Sequence, residues 1–187
     1  MRHVFLINPA AGKRNAAPLL IAQIERVFAD CDYTIALSRG PGDCAIQAAA
    51  AAASGEPVRL YACGGDGTLN EVVRGAVSYP NASITVVPTG SGNDFIRCFS
   101  DPNAFRDLNR LRYCEEASFD LIRTGSDWAI NVCSIGFDAR VGTEISRYKR
   151  LPFLTGSGAY VLSILVNVVR GIHAPYSVKL DEQCFKE

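Results

Sequence analysis

Two histidines, His3 and His173, are all that the 187 residues contain. They lie far apart in sequence, so a Ser/His or Cys/His nucleophile is poorly supplied. Seven cysteines, at 31, 44, 63, 98, 114, 133 and 184, form no CxxC pair and no Cys/His spacing of a zinc site. That pattern reads as reduced thiols in the cytosol, with neither a disulfide framework nor a structural metal. An excess of one charge is missing too, since 19 Lys plus Arg balance 19 Asp plus Glu. No basic surplus announces nucleic acid, and none is expected as a partner. The amino terminus, MRHVFLINPAAGKRN, has no charged head, long apolar stretch and small-residue cleavage site, so it reads as a buried first strand and not a signal peptide. The longest apolar stretch, at 152–172, has about the length of a membrane span. Glycines, Ser163, Asn167 and Arg170 interrupt it, and a packed helix is expected.

What remains is ordinary globular composition, 48% hydrophobic and 20% charged. Strand-like runs HVFLIN, YTIAL, VRLYAC and SITVVP alternate with helical stretches at 16–29, 43–54, 68–77 and 94–98, which implies an α/β fold with a parallel sheet. In the helix DCAIQAAAAAASG, Asp43 is placed to cap the start and Gly55 to end it. After residue 112 the pattern changes. YCEEASFDLIRTG and WAINVCSIGF, joined by a TGSD turn, suggest an antiparallel hairpin. Helices at roughly 138–149 and 156–170 and a last strand, YSVKLDEQCFKE, follow. The expected organisation is a nucleotide-binding α/β domain at 1–112 and the beginning of a β-rich second domain at 113–187, with the chain reading as a fragment cut inside that domain.

The stretch GGDGTLNEV, residues 64–72, directly follows the apolar run VRLYAC. A glycine-rich turn between a buried strand and a helix lets backbone N–H groups approach an anion closely, and phosphate is the natural guest. Asp66 in the middle of that turn would repel phosphate unless Mg²⁺ or a proton-donating hydroxyl lies between them, which points to phosphoryl transfer. INPAAGKRN places Asn8, Gly12 and Lys13 at the carboxyl end of the first strand, where open parallel sheets bind ligands, though without P-loop spacing. PTGSGNDF, 88–95, ends the fourth strand with Ser91 as a hydroxyl donor and Asp94 as a further carboxylate. Three loops at one sheet edge would form one site.

Together these motifs resemble the diacylglycerol kinase catalytic domain family, which includes soluble bacterial lipid kinases and sphingosine kinases. NP-x-x-G at Asn8 to Gly12, GGDGTLNEV and GSGNDF occur in family order, and FDLIR and NVCSIGFDARV look like the family's passage into its second domain. The resemblance implies an NAD-kinase-like amino-terminal domain with a parallel sheet, followed by a β-sandwich domain, with ATP and lipid meeting between them. It implies ATP contacts at Ser38, at Gly64, Gly65, Asp66, Gly67, Thr68, Leu69 and Asn70, and at Ser91, with Asn8 and Gly12 lining the phosphate pocket. Ser38 and Ser91 stand where the family commonly has threonine, and both keep the hydroxyl. Asp66, Asp94 and Asp120 match the family's acidic positions; the resemblance implies Asp66 and Asp94 as the carboxylates that position Mg²⁺ and, on the sphingosine-kinase pattern, Asp66 as the candidate base and Asp120 as a lipid-headgroup contact. Soluble bacterial members use instead a late glutamate, for which this sequence has no matching position, so this fragment is expected to be inactive by itself.

Plainer readings stand beside these. Asp94 would merely cap a helix starting at Phe95, Asp120 would be a hairpin residue paired with Arg123, and Lys13 would be solvated. GPGDCA, 40–45, fits a dinucleotide-binding fingerprint, but it follows the second strand and not the first. ISRYKRLPFL sets Arg147, Lys149 and Arg150 beside apolar residues and suits transient association with an anionic membrane surface. The expectation is a cytoplasmic lipid kinase, peripheral at the inner face of the membrane, with a lipid substrate; homodimerisation stays open. An NAD-kinase-like nucleotide kinase shares the GGDGT turn, and a non-catalytic nucleotide-binding fragment would keep the loops without the late base.

Overall fold

Along the first strand, odd and even positions face different hydrophobic cores, and that alternation organises the whole amino-terminal half. The computed structural model describes residues 1–12, 14–148, 156–172, 177–180 and 183–186. Strands β1 (Arg2–Ile7), β2 (Tyr33–Leu37), β3 (Val58–Gly64) and β4 (Ala82–Pro88) form one parallel sheet in the order β2-β1-β3-β4. Between them run α1 (Ala17–Val27), α2 (Asp43–Ala52) and α3 (Asp66–Ala76). Val4, Leu6, Leu60, Ala62 and Val86 bury against α2 and α3, through Ala48, Ala52, Leu69, Val72 and Val73. Phe5, Ile7, Tyr61, Cys63 and Val87 bury against α1 and Phe28. Both faces are covered at the centre of the sheet, where Val4–Ile7 of β1 and Leu60–Cys63 of β3 are continuous apolar runs, while the edge strand β2 is only half-buried.

Phe5 stacks on Tyr61 at 4.2 Å between ring centroids, and Phe28 meets Phe5 edge-on at 4.9 Å. Each such buried ring contributes about 1.5–3 kcal/mol by leaving water. His3 completes the cluster, with Nδ1 2.9 Å from the Tyr61 hydroxyl. His3 is thus a core residue, while His173 lies outside the described residues. The phenol of Tyr61 and the thiol of Cys63 are pushed up by burial. Helices α2 and α3 touch closely at Gly75, where any Cβ would strike the Ala45 carbonyl.

Two 3₁₀ turns (Phe95–Cys98 and Pro102–Arg106) and α4 (Leu108–Arg112) follow β4. Arg59, 6% exposed, reaches from β3 to donate to the carbonyls of Leu111, Arg112 and Cys114 and to Glu116. The hairpin forms with the expected turn, but only over β5 (Ile122–Thr124) and β6 (Asp127–Ala129). Residues 115–120 are exposed on every position, so no face there is buried to extend the pairing. The chain divides into two compact units, Met1–Val132 and Cys133–Glu187, and the hairpin belongs to the first. There Arg74 on α3 pairs with Asp127.

In the second unit, α5 (Phe137–Tyr148) and α6 (Gly156–Val169) pack against each other, and β7 (Ser177–Leu180) pairs antiparallel with β8 (Gln183–Lys186). Ser163 on α6 donates to the Val141 carbonyl at 3.0 Å, and Arg170 pairs with Glu144 at 2.8 Å. The polar residues that interrupt the apolar stretch therefore face its partner helix. No described helix is long and apolar enough to cross a membrane.

Candidate active site

The carboxyl ends of β1, β3 and β4 carry three loops, and backbone hydrogen bonds sew them together. Asn8 N–H donates to the Cys63 carbonyl at 2.9 Å, and the Thr89 and Gly90 N–H groups both donate to the Gly64 carbonyl, at 2.9 and 3.1 Å. Asn8 also works through its side chain. Its Nδ2 donates to Thr68 Oγ1 at 3.1 Å while its Oδ1 accepts from Ala10 N–H at 3.0 Å. Gly12 has φ +80°, and a Cβ there would strike the Thr89 carbonyl. Lys13 lies outside the described residues.

The glycines of GGDG do different jobs. Gly64 leaves space for the Thr68 side chain, Gly65 lies against Gly90, and around Gly67 there is open space. Two of the three thus accommodate the protein itself, and Gly67 alone among them is exposed, in the first turn of α3. Helix starts favour negative charge, and at this one the acidic Asp66 occupies the same first turn as the open Gly67. Thr68 and Leu69 are buried, and Leu69 belongs to the core beneath the sheet.

Asp66 is the hinge of the arrangement. Its Oδ1 accepts from the N–H groups of Asp94 at 2.7 Å and Phe95 at 3.3 Å. Its Oδ2 lies over Gly92, 2.8 Å from where a Cβ on that residue would be, and Asp94 Oδ2 lies 3.7 Å from the same point. Asp94 makes no side-chain cap for the turn that follows it; its Oδ1 pairs with Arg97 at 3.0 Å. Asp66 and Asp94 are therefore brought to one place, while no group of three or more His, Cys, Asp or Glu that could hold a metal occurs among the described residues.

The remaining expected residues are spread around this centre. Ser91 is exposed on the β4 loop. Ser38 lies at the end of β2, tied to Ile7 through its N–H and donating its hydroxyl to the Gly40 carbonyl at 3.0 Å. Asn70 Oδ1 accepts from Ile130 N–H at 3.3 Å. Asp120 is exposed outside both hairpin strands, and the Arg123 expected beside it donates to the Gly125 carbonyl and lies over the Trp128 ring.

Asp43 departs from its expected cap role. The cap position is Gly42, at φ +84°, and Asp43 in the first turn accepts instead from Arg39 N–H and its guanidinium and from Gln47. Arg39 holds the Asp43 carboxyl below its ordinary range. Burial pushes the Cys44 thiol up, as it does that of Cys63, so neither supplies a thiolate. No disulfide links Cys31, Cys44, Cys63, Cys98 or Cys114.

Sequence reasoning missed three contributors. Glu71 accepts from Gly42 N–H at 2.9 Å and so fixes the loop after β2. Arg97 donates to the Gly92 carbonyl as well as pairing with Asp94. Asn93 adopts φ +56° and is 8% exposed; an asparagine between a glycine and an aspartate is a legible signal for a left-handed turn.

The model of the diacylglycerol kinase catalytic domain matches residues 2–124. A protein of Staphylococcus carnosus (strain TM300) named "Diacylglycerol kinase" is 26% identical over 186 residues, covering 97% of this chain and 59% of the relative. A Bacillus subtilis (strain 168) protein named "Putative lipid kinase YtlR" is 30% identical over 156 residues, covering 77% of this chain and 50% of the relative. A crystal structure of a diacylglycerol kinase from Bacillus anthracis str. Sterne superimposes with a TM-score of 0.66 at 21% identity, over all of this chain and 61% of that one. At that identity the likeness is one of fold. The chain thus spans between half and about six tenths of the length of these three proteins. With its three motif loops gathered at one sheet edge and the family model matched from residue 2 to residue 124, the chain belongs to the diacylglycerol kinase catalytic domain family.

Proposed function

We propose that this chain carries the nucleotide-binding part of an ATP-dependent lipid kinase, which transfers the γ-phosphoryl group to the hydroxyl of a diacylglycerol-like lipid. The observation that carries the reading is Asp66, anchored through one oxygen to the β4 loop and with the other over Gly92 beside the Asp94 carboxylate. Phosphoryl transfer proceeds through a loose transition state with charge spread over the phosphoryl oxygens, so positioning and neutralisation are most of what a protein must supply.

The residues present suit that task. Open space at Gly67 and the small, exposed Ser91 would let phosphates approach the backbone, and the exposed start of α3 favours their charge. Asp66 and Asp94 would hold Mg²⁺, which when bound neutralises phosphate charge. Where Asp94 rather than Asp66 carries the metal, Asp66 Oδ2 would be the candidate to accept the proton of an attacking hydroxyl. Asn8 holds the buried Thr68 hydroxyl beneath the start of α3 and so ties the β1 loop to the β3 loop. We further propose transient membrane contact through Arg147, Lys149 and Arg150, the last two outside the described residues. Liposome co-sedimentation with all three changed to Gln tests it, and unchanged binding sinks it.

A thermal shift with Mg²⁺–ATP against Mg²⁺–NAD tests the nucleotide reading. A ligand at about 100 times its Kd adds roughly 2.7 kcal/mol to the folded state. Stabilisation by ATP alone is expected. A shift with NAD as well would favour a soluble-nucleotide kinase, and no shift with either would overturn ATP binding by this chain.

A further inference from the structure

Asn93 stands out as a buried polar side chain with one oxygen unaccounted for. It is 8% exposed, its backbone is left-handed at φ +56°, and its Nδ2 donates back to the Gly90 carbonyl at 2.8 Å. Its Oδ1 finds no partner among the described residues. That oxygen faces the contact between Gly65 and Gly90, 3.0 Å from where a Cβ on Gly90 would be and 3.9 Å from one on Gly65.

The bridge has a direct geometric consequence. A turn closed from Asn93 to Gly90 fixes the direction in which the next two peptide groups point. Those are the N–H groups of Asp94 and Phe95, and both end on Asp66 Oδ1. We infer that Asn93 is a positioning residue: by closing the 90–93 turn it aims two backbone donors at one oxygen of Asp66 and so leaves Oδ2, over Gly92, as the oxygen offered to reacting groups. Its value to catalysis rests on the kinase reading above, whereas the setting of Asp66 does not.

Asparagine suits the task for two reasons. It tolerates the left-handed region better than other residues with a side chain, and its amide supplies the donor that Gly90 needs. Aspartate would lose that donor and bury a charge beside two glycines. Glycine would keep the backbone conformation and lose only the bridge, which makes Asn93→Gly the informative variant.

The test compares the unsubstituted 187-residue protein with Asn93→Gly by NMR without ligand, and by calorimetric titration with Mg²⁺–ATP. Amide exchange at Asp94 and Phe95 is expected to quicken about tenfold, the effect of losing one net hydrogen bond. The Asp66 side-chain carboxyl carbon should shift, while Tyr61 amide exchange and the Asp43 carboxyl carbon stay put. Mg²⁺–ATP affinity should fall by a similar factor. Asn93→Asp should lose more stability than Asn93→Gly. Unaltered exchange at Asp94 and Phe95 with an unmoved Asp66 carbon would overturn the inference. Faster exchange with unchanged Mg²⁺–ATP affinity would overturn its catalytic part. If the unsubstituted protein binds no nucleotide, the kinase reading falls alone, and the ligand-free data still decide whether Asn93 sets Asp66.

Discussion

Asp94 N–H donates to Asp66 Oδ1 at 2.7 Å across 28 residues of sequence. One carboxylate is therefore an anchor for the β4 loop and, on the reading proposed above, the candidate acid–base group of the site. The two roles separate by substitution. On the proposed kinase reading, Asp66→Asn retains an acceptor for the two N–H groups and should keep the fold while markedly weakening Mg²⁺–ATP binding. Asp66→Ala removes the acceptor as well and should cost about 1–3 kcal/mol in urea denaturation. Unchanged Mg²⁺–ATP affinity in Asp66→Asn would remove Asp66 from the proposed site, and equal stability of the two variants would deny the anchor.

Gly75 offers a stability prediction that runs against helix propensity. Gly75 lies in the last turn of α3, and replacing a helical glycine by alanine ordinarily gains up to about 1 kcal/mol. Here the new methyl meets the Ala45 carbonyl where α2 and α3 touch, so Gly75→Ala should lower stability by about 1–3 kcal/mol. Guanidinium denaturation with an unchanged m-value would read it directly.

Arg59 should matter far more than its acidic neighbour. It is buried and serves three carbonyls, whereas the Glu116 side chain is 54% exposed. Arg59→Met strands those carbonyls and should cost about 2–4 kcal/mol. Glu116→Gln should change stability by about 0.5 kcal/mol at most. Comparable losses in the two variants would show that the ion pair, and not the carbonyl cradle, does the bracing.

A pH dependence follows from His3. Burial, then the Arg59 charge, lowers its pKa below the ordinary 6.5. The unfolded chain therefore takes up a proton below about pH 6.5 that the folded chain refuses, so stability falls as pH drops through that point. The Asp43 and Asp101 carboxyls, held low by Arg39 and Arg110, lose their contributions only in the more acidic carboxylate range. Urea midpoints between pH 5 and pH 8 should decline toward acid in the parent and be flat in His3→Gln.

The strands were legible because both faces of the sheet are covered at its centre, which makes Val4–Ile7 and Leu60–Cys63 continuous apolar runs. The hairpin was legible at its TGSD turn but not in its length, since exposed Glu115, Glu116 and Asp120 sit where an apolar face would be needed. Asp43 misled because its carboxylate has a better partner in Arg39, four residues back, than in the helix start. The motif loops could be assigned to one sheet edge from order alone. Their contacts could not, because the closeness of Gly65 to Gly90 depends on β3 and β4 being neighbours in register, a relation between distant positions that no local pattern encodes.

That closeness also bears on how the site tolerates change. Surface loops usually accept substitution more freely than strands. At this sheet edge the relation is inverted: a side chain at Gly90 would collide with Gly65, and one at Gly12 with Thr89. Each loop is the mould in which another is cast. Random mutagenesis should therefore find its least permissive positions at the rim of the sheet, and a lost glycine there should be restored by reversion far more readily than by a second change elsewhere.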